Sequence, residues 1–152
     1  MPITRRELVS LLPAALFLIP NSPDLSGAAS DDTPSNPLPS AFYPFASLTV
    51  QQSSNVVIRH ILKGKLATAE SVEVHETTLA PGSTPHPPHH HVHSEMWLIR
   101  EGTVEITIEG KSHRLGEGSL AIVRSGEEHS ITNPTDKLAT YFVVAIGPGA
   151  GG

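Results

Sequence analysis

Gly102-Thr103-Val104-Glu105-Ile106-Thr107-Ile108-Glu109-Gly110 alternates apolar and polar residues at every step and is closed at each end by glycine. A period of two puts Val104, Ile106 and Ile108 on one face and Thr103, Glu105, Thr107 and Glu109 on the other, which makes a strand with a dry side and a wet side. Outward from it the same kind of short run recurs: Val56 to Leu62, Val72 to Leu79, Met96 to Glu101, Ser119 to Val123 and Leu138 to Ile146. Turn residues separate the runs, and no window sustains a 3.6-residue apolar period. The expected fold is all-β, with at least six strands spaced evenly enough for a sandwich or barrel. In the last run Leu138, Phe142, Val144 and Ile146 alternate with Tyr141, Val143 and Ala145, which are hardly polar either. Both faces of that strand are therefore expected to be covered, the outer one by a second copy in a homodimer.

The 152 residues have room for one domain and little more. Residues 41–146 carry all the strand signals. Residues 30–40 are rich in Pro and Ser, with too little hydrophobicity to offset the entropy of ordering, and read as a linker. Residues 147–152, Gly-Pro-Gly-Ala-Gly-Gly, read as a flexible tail. At the other end, Arg5-Arg6 precedes the apolar run Leu8 to Pro20, and small residues follow at Ser26-Gly27-Ala28-Ala29. Residues 1–29 thus have the layout of a signal peptide and resemble a twin-arginine export signal, which implies a periplasmic or secreted protein. A membrane span needs about 20 apolar residues. This run is shorter and carries Pro13 and Pro20, so no stable membrane span is expected after processing.

Charge and composition remove other classes. A net charge of −5, with ten Lys and Arg scattered along the chain, leaves no basic stripe to track phosphates, so nucleic acid is not an expected partner. The chain has no cysteine, which excludes disulfides, thiolate metal sites and a cysteine nucleophile.

Five of the nine histidines fall within His86-Pro87-Pro88-His89-His90-His91-Val92-His93-Ser94-Glu95. In extended chain His89 and His91 share a face while His90 points away, and a turn over Val92 to Ser94 can return Glu95 to the same spot. Two imidazoles and a carboxylate form a mixed donor set suited to Fe, Mn, Ni, Zn or Cu. A fourth donor is expected from His129, where Gly126-Glu127-Glu128-His129 is a turn feeding a strand. His86, His90 and His93 read as a solvated loop, and His60, His75 and His113 as ordinary strand or surface residues without a partner at ligand spacing. If Glu95 faces inward, Trp97 and Ile99 follow by the period of two and shape a substrate pocket.

These residues fall into two spaced motifs. Gly82, six residues, His89-x-His91, three residues, Glu95, six residues and Gly102 make the first; Gly118, Arg124, Gly126, His129 and Asn133 make the second. In that order and spacing they resemble the cupin family. The leading loop is one residue longer than the family pattern, and Arg124 stands where the family has proline. The resemblance implies a small double-stranded β-helix (jelly-roll) barrel that holds one divalent transition metal (Fe, Mn, Ni or Zn) through His89, His91, Glu95 and His129. Such a site leaves coordination positions open for a small-molecule ligand, with Glu95 as fourth ligand or proton acceptor. The leading functional expectation is a dioxygenase-type oxidoreductase. The alternatives are a non-catalytic metal or small-molecule binding module and a sugar isomerase or epimerase.

Overall fold

The computed structural model describes residues 36–150. The expected export signal and the first part of the linker lie outside the described residues. Nine strands follow a short 3-10 turn at Phe45–Ser47: β1 Thr49–Gln52, β2 Val56–Lys65, β3 Ser71–Leu79, β4 Ser94–Glu101, β5 Thr103–Ile108, β6 Lys111–Gly116, β7 Leu120–Val123, β8 His129–Thr132 and β9 Ala139–Ile146. Six of them, in the order β1-β2-β3-β9-β4-β7, make one sheet, and β6-β5-β8 make the other. All the pairings are antiparallel. The fold is the all-β jelly roll expected from the sequence.

The core forms where the inward residues of the two sheets meet. Leu79, Trp97, Ile99, Val123, Tyr141 and Val143 come from the larger sheet, Val104, Ile106 and Ile131 from the smaller. The alternation in β5 decides this geometry: Val104 and Ile106 are buried, while Glu105 pairs outward with Arg114 (3.2 Å) and Thr107 with Ser112 (2.7 Å). On β9 the inward set is Tyr141, Val143 and Ala145, all buried. Phe142, Val144 and Ile146 face the other way and are half-buried in the single chain.

The outer face carries its own buried charge. Glu76 is 3 % exposed and is bound by the guanidiniums of Arg100 and Arg59, over which the Phe45 ring lies, 4.6 Å from the Arg59 guanidinium carbon. A carboxylate taken out of water is tolerable when paired in this way. The segment before β1 is therefore fastened to the sheet. Leu38 contributes as well, donating its N–H to Lys65 O (2.7 Å) and lying over Gly64. After β9, Gly147 donates to Ser71 O (2.9 Å), and Ala150 is buried.

Asn133, fully buried, ties the turn between β8 and β9 to the end of β3. Its Nδ2 donates to the carbonyls of Leu79 (3.2 Å), Ala80 (3.1 Å) and Lys137 (2.7 Å), and its Oδ1 accepts from Thr135. Gly102, between β4 and β5, has φ +77°, and a Cβ there would stand 2.5 Å from Leu138 O. Gly110, in the β5–β6 hairpin, has φ +73° with nothing within 4 Å. Both positions favour glycine on backbone grounds, but only the first is also crowded. Gly110→Ala should cost about 1 kcal/mol and Gly102→Ala about 2–3 kcal/mol, measured as shifts of the urea midpoint at constant m. Equal costs would show that the approach of Leu138 is not tight.

Candidate metal centre

The two motifs meet through the backbone. His89 and His129 form an isolated antiparallel bridge, with His89 N–H donating to His129 O (3.1 Å) and His129 N–H to His89 O (2.9 Å). Gly126 N–H adds a bond to His91 O (2.9 Å). A loop rich in proline, which cannot join a regular ladder throughout, is thereby registered on β8. Glu95 comes from the start of β4, next to β9 and β7.

These constraints bring the donor atoms of His89, His91 and His129 within 4.8 Å of one another. Glu95 Oε2 lies 2.7 Å from His91 Nε2 and 3.9 Å from His129 Nε2. The three histidines expected from the sequence thus form one cluster, and Glu95 joins it through His91. Two backbone carbonyls orient the rings: His129 Nδ1 donates to Glu127 O (2.9 Å) and His91 Nδ1 to His93 O (3.0 Å). With its Nδ1 proton spoken for, His129 Nε2 presents a lone pair to the centre, the arrangement by which outer partners fix a ligating imidazole, while His91 Nε2 is hydrogen-bonded to Glu95 Oε2. His129 Nε2 is buried and has no hydrogen-bond partner, and the same holds for His89 Nδ1. Such orphaned nitrogens cost about 1–3 kcal/mol each when nothing binds them. The donor set fits a divalent transition metal, which would be held by His89, His91, Glu95 and His129.

Burial, with the neighbouring His86, His129 and His91, lowers the pKa of His89 from its ordinary value; Glu95 opposes the shift. A neutral imidazole is the form that ligates. Where the family has proline, Arg124 makes a different brace: its backbone N–H and guanidinium both donate to Glu127, the former at 3.1 Å. That clasp closes the turn whose Glu127 carbonyl holds His129.

A cavity of about 290 Å³ opens over the centre, lined by His89, His91, Glu95, Trp97, Tyr141 and Val143 among others. Trp97 is a wall, buried, with its ring centroid 5.4 Å from that of His129. Ile99 is also buried, but it lies in the core cluster, outside the cavity lining. Among the further lining residues are Glu73, His75, His86 and His93, none of which was expected there. His93 stacks on His91 at 3.6 Å and forms a second close group with His91 and Glu95. Burial lowers the pKa of His93. His90 is exposed, as the loop reading had it; His86 is exposed too but packs edge-on against His89, with ring centroids 4.1 Å apart. Glu73 and His75 had a signal in the sequence: Glu73, His75, Thr77 and Leu79 share one strand face, and three of those four are polar on a face that should be core.

Residues 75–145 match the family model described as Cupin domain. Among solved structures, the chain is similar to an RmlC-like cupin from Shewanella frigidimarina (14% identity, TM-score 0.60, 72% of this chain and 94% of that one). It is likewise similar to a protein described as a predicted oxalate decarboxylase from Thermotoga maritima (24% identity, TM-score 0.59, 70% and 98%). A mannose-1-phosphate guanylyltransferase of Klebsiella pneumoniae is 36% identical over 61 residues, 40% of this chain. The match spans 13% of that relative's length. The family match supports the cupin superfamily, and the structural neighbours share the fold.

His75 sets a pH dependence. It faces Glu73 (3.6 Å), with Glu95 and His60 also acting on it; burial lowers its pKa, the two carboxylates raise it and His60 lowers it. The unfolded chain then binds more protons than the folded one at pH below the ordinary histidine value near 6.5, so stability falls as pH drops through that range. His89 and His93 act in the same direction. For metal-free protein the urea midpoint should fall between about pH 7.5 and pH 5.5, and His75→Phe should reduce that fall. A pH profile unmoved by the substitution would contradict the assignment.

Proposed function

We propose that this chain is an exported cupin metalloprotein, a dioxygenase-type oxidoreductase acting on a small substrate with paired oxygens. One observation carries the reading: the donor atoms of three imidazoles lie within 4.8 Å of one another beside a small cavity that His89, His91 and Glu95 line, and His129 Nε2 is buried and unpartnered. Bound by these four residues, a redox-active divalent ion such as iron, manganese or nickel would supply Lewis-acid and electron-transfer chemistry.

The protein's own groups do the rest. The carbonyls of Glu127 and His93 hold two imidazoles in the ligating orientation. Glu95 would be the fourth donor to the ion, and its carboxylate on the cavity lining is placed to accept a proton from a substrate hydroxyl. Trp97, Tyr141 and Val143 wall the cavity and restrict water around the reacting atoms. The Tyr141 hydroxyl, held to Thr77 and pushed well above the usual phenol range by burial and by Glu95, stays protonated and serves as a hydrogen-bond donor.

Support for export comes from the Arg5-Arg6 signal layout. Support for a homodimer comes from the outer sheet face, where Leu98, Leu120 and Ile122 are 43 %, 58 % and 57 % exposed beside the half-buried Phe142 and Val144. Among the described residues no helix is long and apolar enough to cross a membrane.

Oxygen uptake tests the catalytic reading, with iron-, manganese- or nickel-loaded protein and a panel of vicinal diols, 1,3-diketones and 2-oxo acids. At least one class should drive uptake equal to its own loss, and His91→Ala should lower the rate at least 100-fold. Saturable binding of these compounds with no uptake in any metal form would make the protein a non-catalytic binding module.

A further inference from the structure

The cavity has a second polar wall, apart from the metal donors. On β3, Glu73, His75 and Thr77 face inward opposite Ala145, Val143 and Tyr141 of β9, and all six line the cavity. Neither Glu73 nor His75 belongs to either cluster of donor atoms within 4.8 Å of one another. Their side chains remain 26% and 21% exposed, and the exposed part of the lining opens onto the cavity. His75 Nδ1 itself is buried, without a hydrogen bond of normal length, and Glu73 Oε1 is 3.6 Å from it.

An imidazole and a carboxylate facing the inside of a small barrel are costly there, where the neighbours on the same face are Leu79 and Val143. The pair also has a direction. An ionised Glu73 can only accept, so the Nδ1 proton of His75 turns toward it and Nε2 is left as a lone pair. An acceptor backed by a carboxylate repels an anionic group and takes a proton from a neutral donor. Of the common donors, a hydroxyl suits a wall that Thr77 and Tyr141 already furnish with hydroxyl groups.

We propose that Glu73 and His75 form a recognition site for a hydroxyl at the far end of a small polyhydroxylated acid, whose carboxylate and adjacent hydroxyl take the metal end of the cavity. The inference rests on the metal reading above and adds the substrate class. Glu73 orients His75 and does not touch the ligand. A cavity of about 290 Å³ limits the ligand to a small molecule. The polarity at both ends explains why a barrel with so few aromatics carries a histidine and a glutamate on β3.

Calorimetric titration of metal-loaded protein with matched acids tests this: glycerate against lactate, threonate against 2-hydroxybutyrate, gluconate against 2-hydroxyhexanoate. Each pair keeps the chelating carboxylate and hydroxyl and differs in the distal hydroxyls. At least one hydroxylated acid should bind about tenfold more tightly than its deoxy partner, the worth of one good hydrogen bond. Desolvation alone would give the opposite order. His75→Phe should abolish the preference, Glu73→Gln should weaken it, and His75→Gln, which keeps an acceptor, should retain part of it. Metal content should be unchanged in all three. Normal metal content with no preference, or a preference that survives His75→Phe, would overturn this assignment and leave the metal reading standing. A His75-dependent preference in a protein that holds no metal would overturn the metal reading and leave this one.

Discussion

The paired backbone hydrogen bonds between His89 and His129 are the constraint on which the site depends. They join a proline-rich loop to a short strand forty residues away in sequence, and they do so without using either side chain. Both imidazoles are thus free to turn inward while their main chains lock the register. The remaining pieces of the centre are referred to that bridge: Gly126 fastens His91 beside it, and the Arg124–Glu127 clasp sets the carbonyl that holds His129. In place of the family's proline, a charge-assisted side-chain bond from Arg124 to Glu127 spans the same four residues.

Buried imidazole nitrogens without partners are the reverse side of this economy. Close-packed interiors satisfy their polar atoms, so the unpaired His129 Nε2 and His89 Nδ1 are exceptions that a bound ion would satisfy. The depressed pKa of His89 is consistent with that, since it keeps the ring in its ligating form at neutral pH. Glu76 offers the contrast. It is as buried as His129, but Arg100 and Arg59 pair it fully, and it has no vacancy to fill.

Much of this was legible in the sequence. β5 was readable because its alternation is strict, and the other long strands because their apolar runs are bounded by turn residues. β1, β6 and the full set of nine were not. β1, Thr49–Gln52, is exposed throughout, and β6, Lys111–Gly116, is exposed over its first four residues, so neither strand has a dry face to give it away. Among the metal-donor candidates, His89 and His91 were legible from a period of two, which says which side chains share a face; Glu95 needed a turn over Val92 to Ser94, and the joining of His129 to them came from the resemblance to the two cupin motifs. The second wall was not. Glu73, His75 and Thr77 do mark a polar stretch on one strand face, but only the pairing of β3 with β9 shows that this face looks into the cavity. His93 escaped for a related reason: alternation from His91 would place it in line, but the turn that follows hid whether the alternation continued.

The claim at the centre of this account is that one metal is held jointly by the two motifs. Elemental mass spectrometry of protein purified without a histidine tag tests it most directly, comparing the wild type with His89→Ala and His129→Ala. Close to one transition-metal ion per chain in the wild type, lost in both variants while the exposed His86 and His90 remain, is the result expected. Little metal in the wild type, or metal that survives both substitutions, would place any binding in the loop alone and contradict a shared centre.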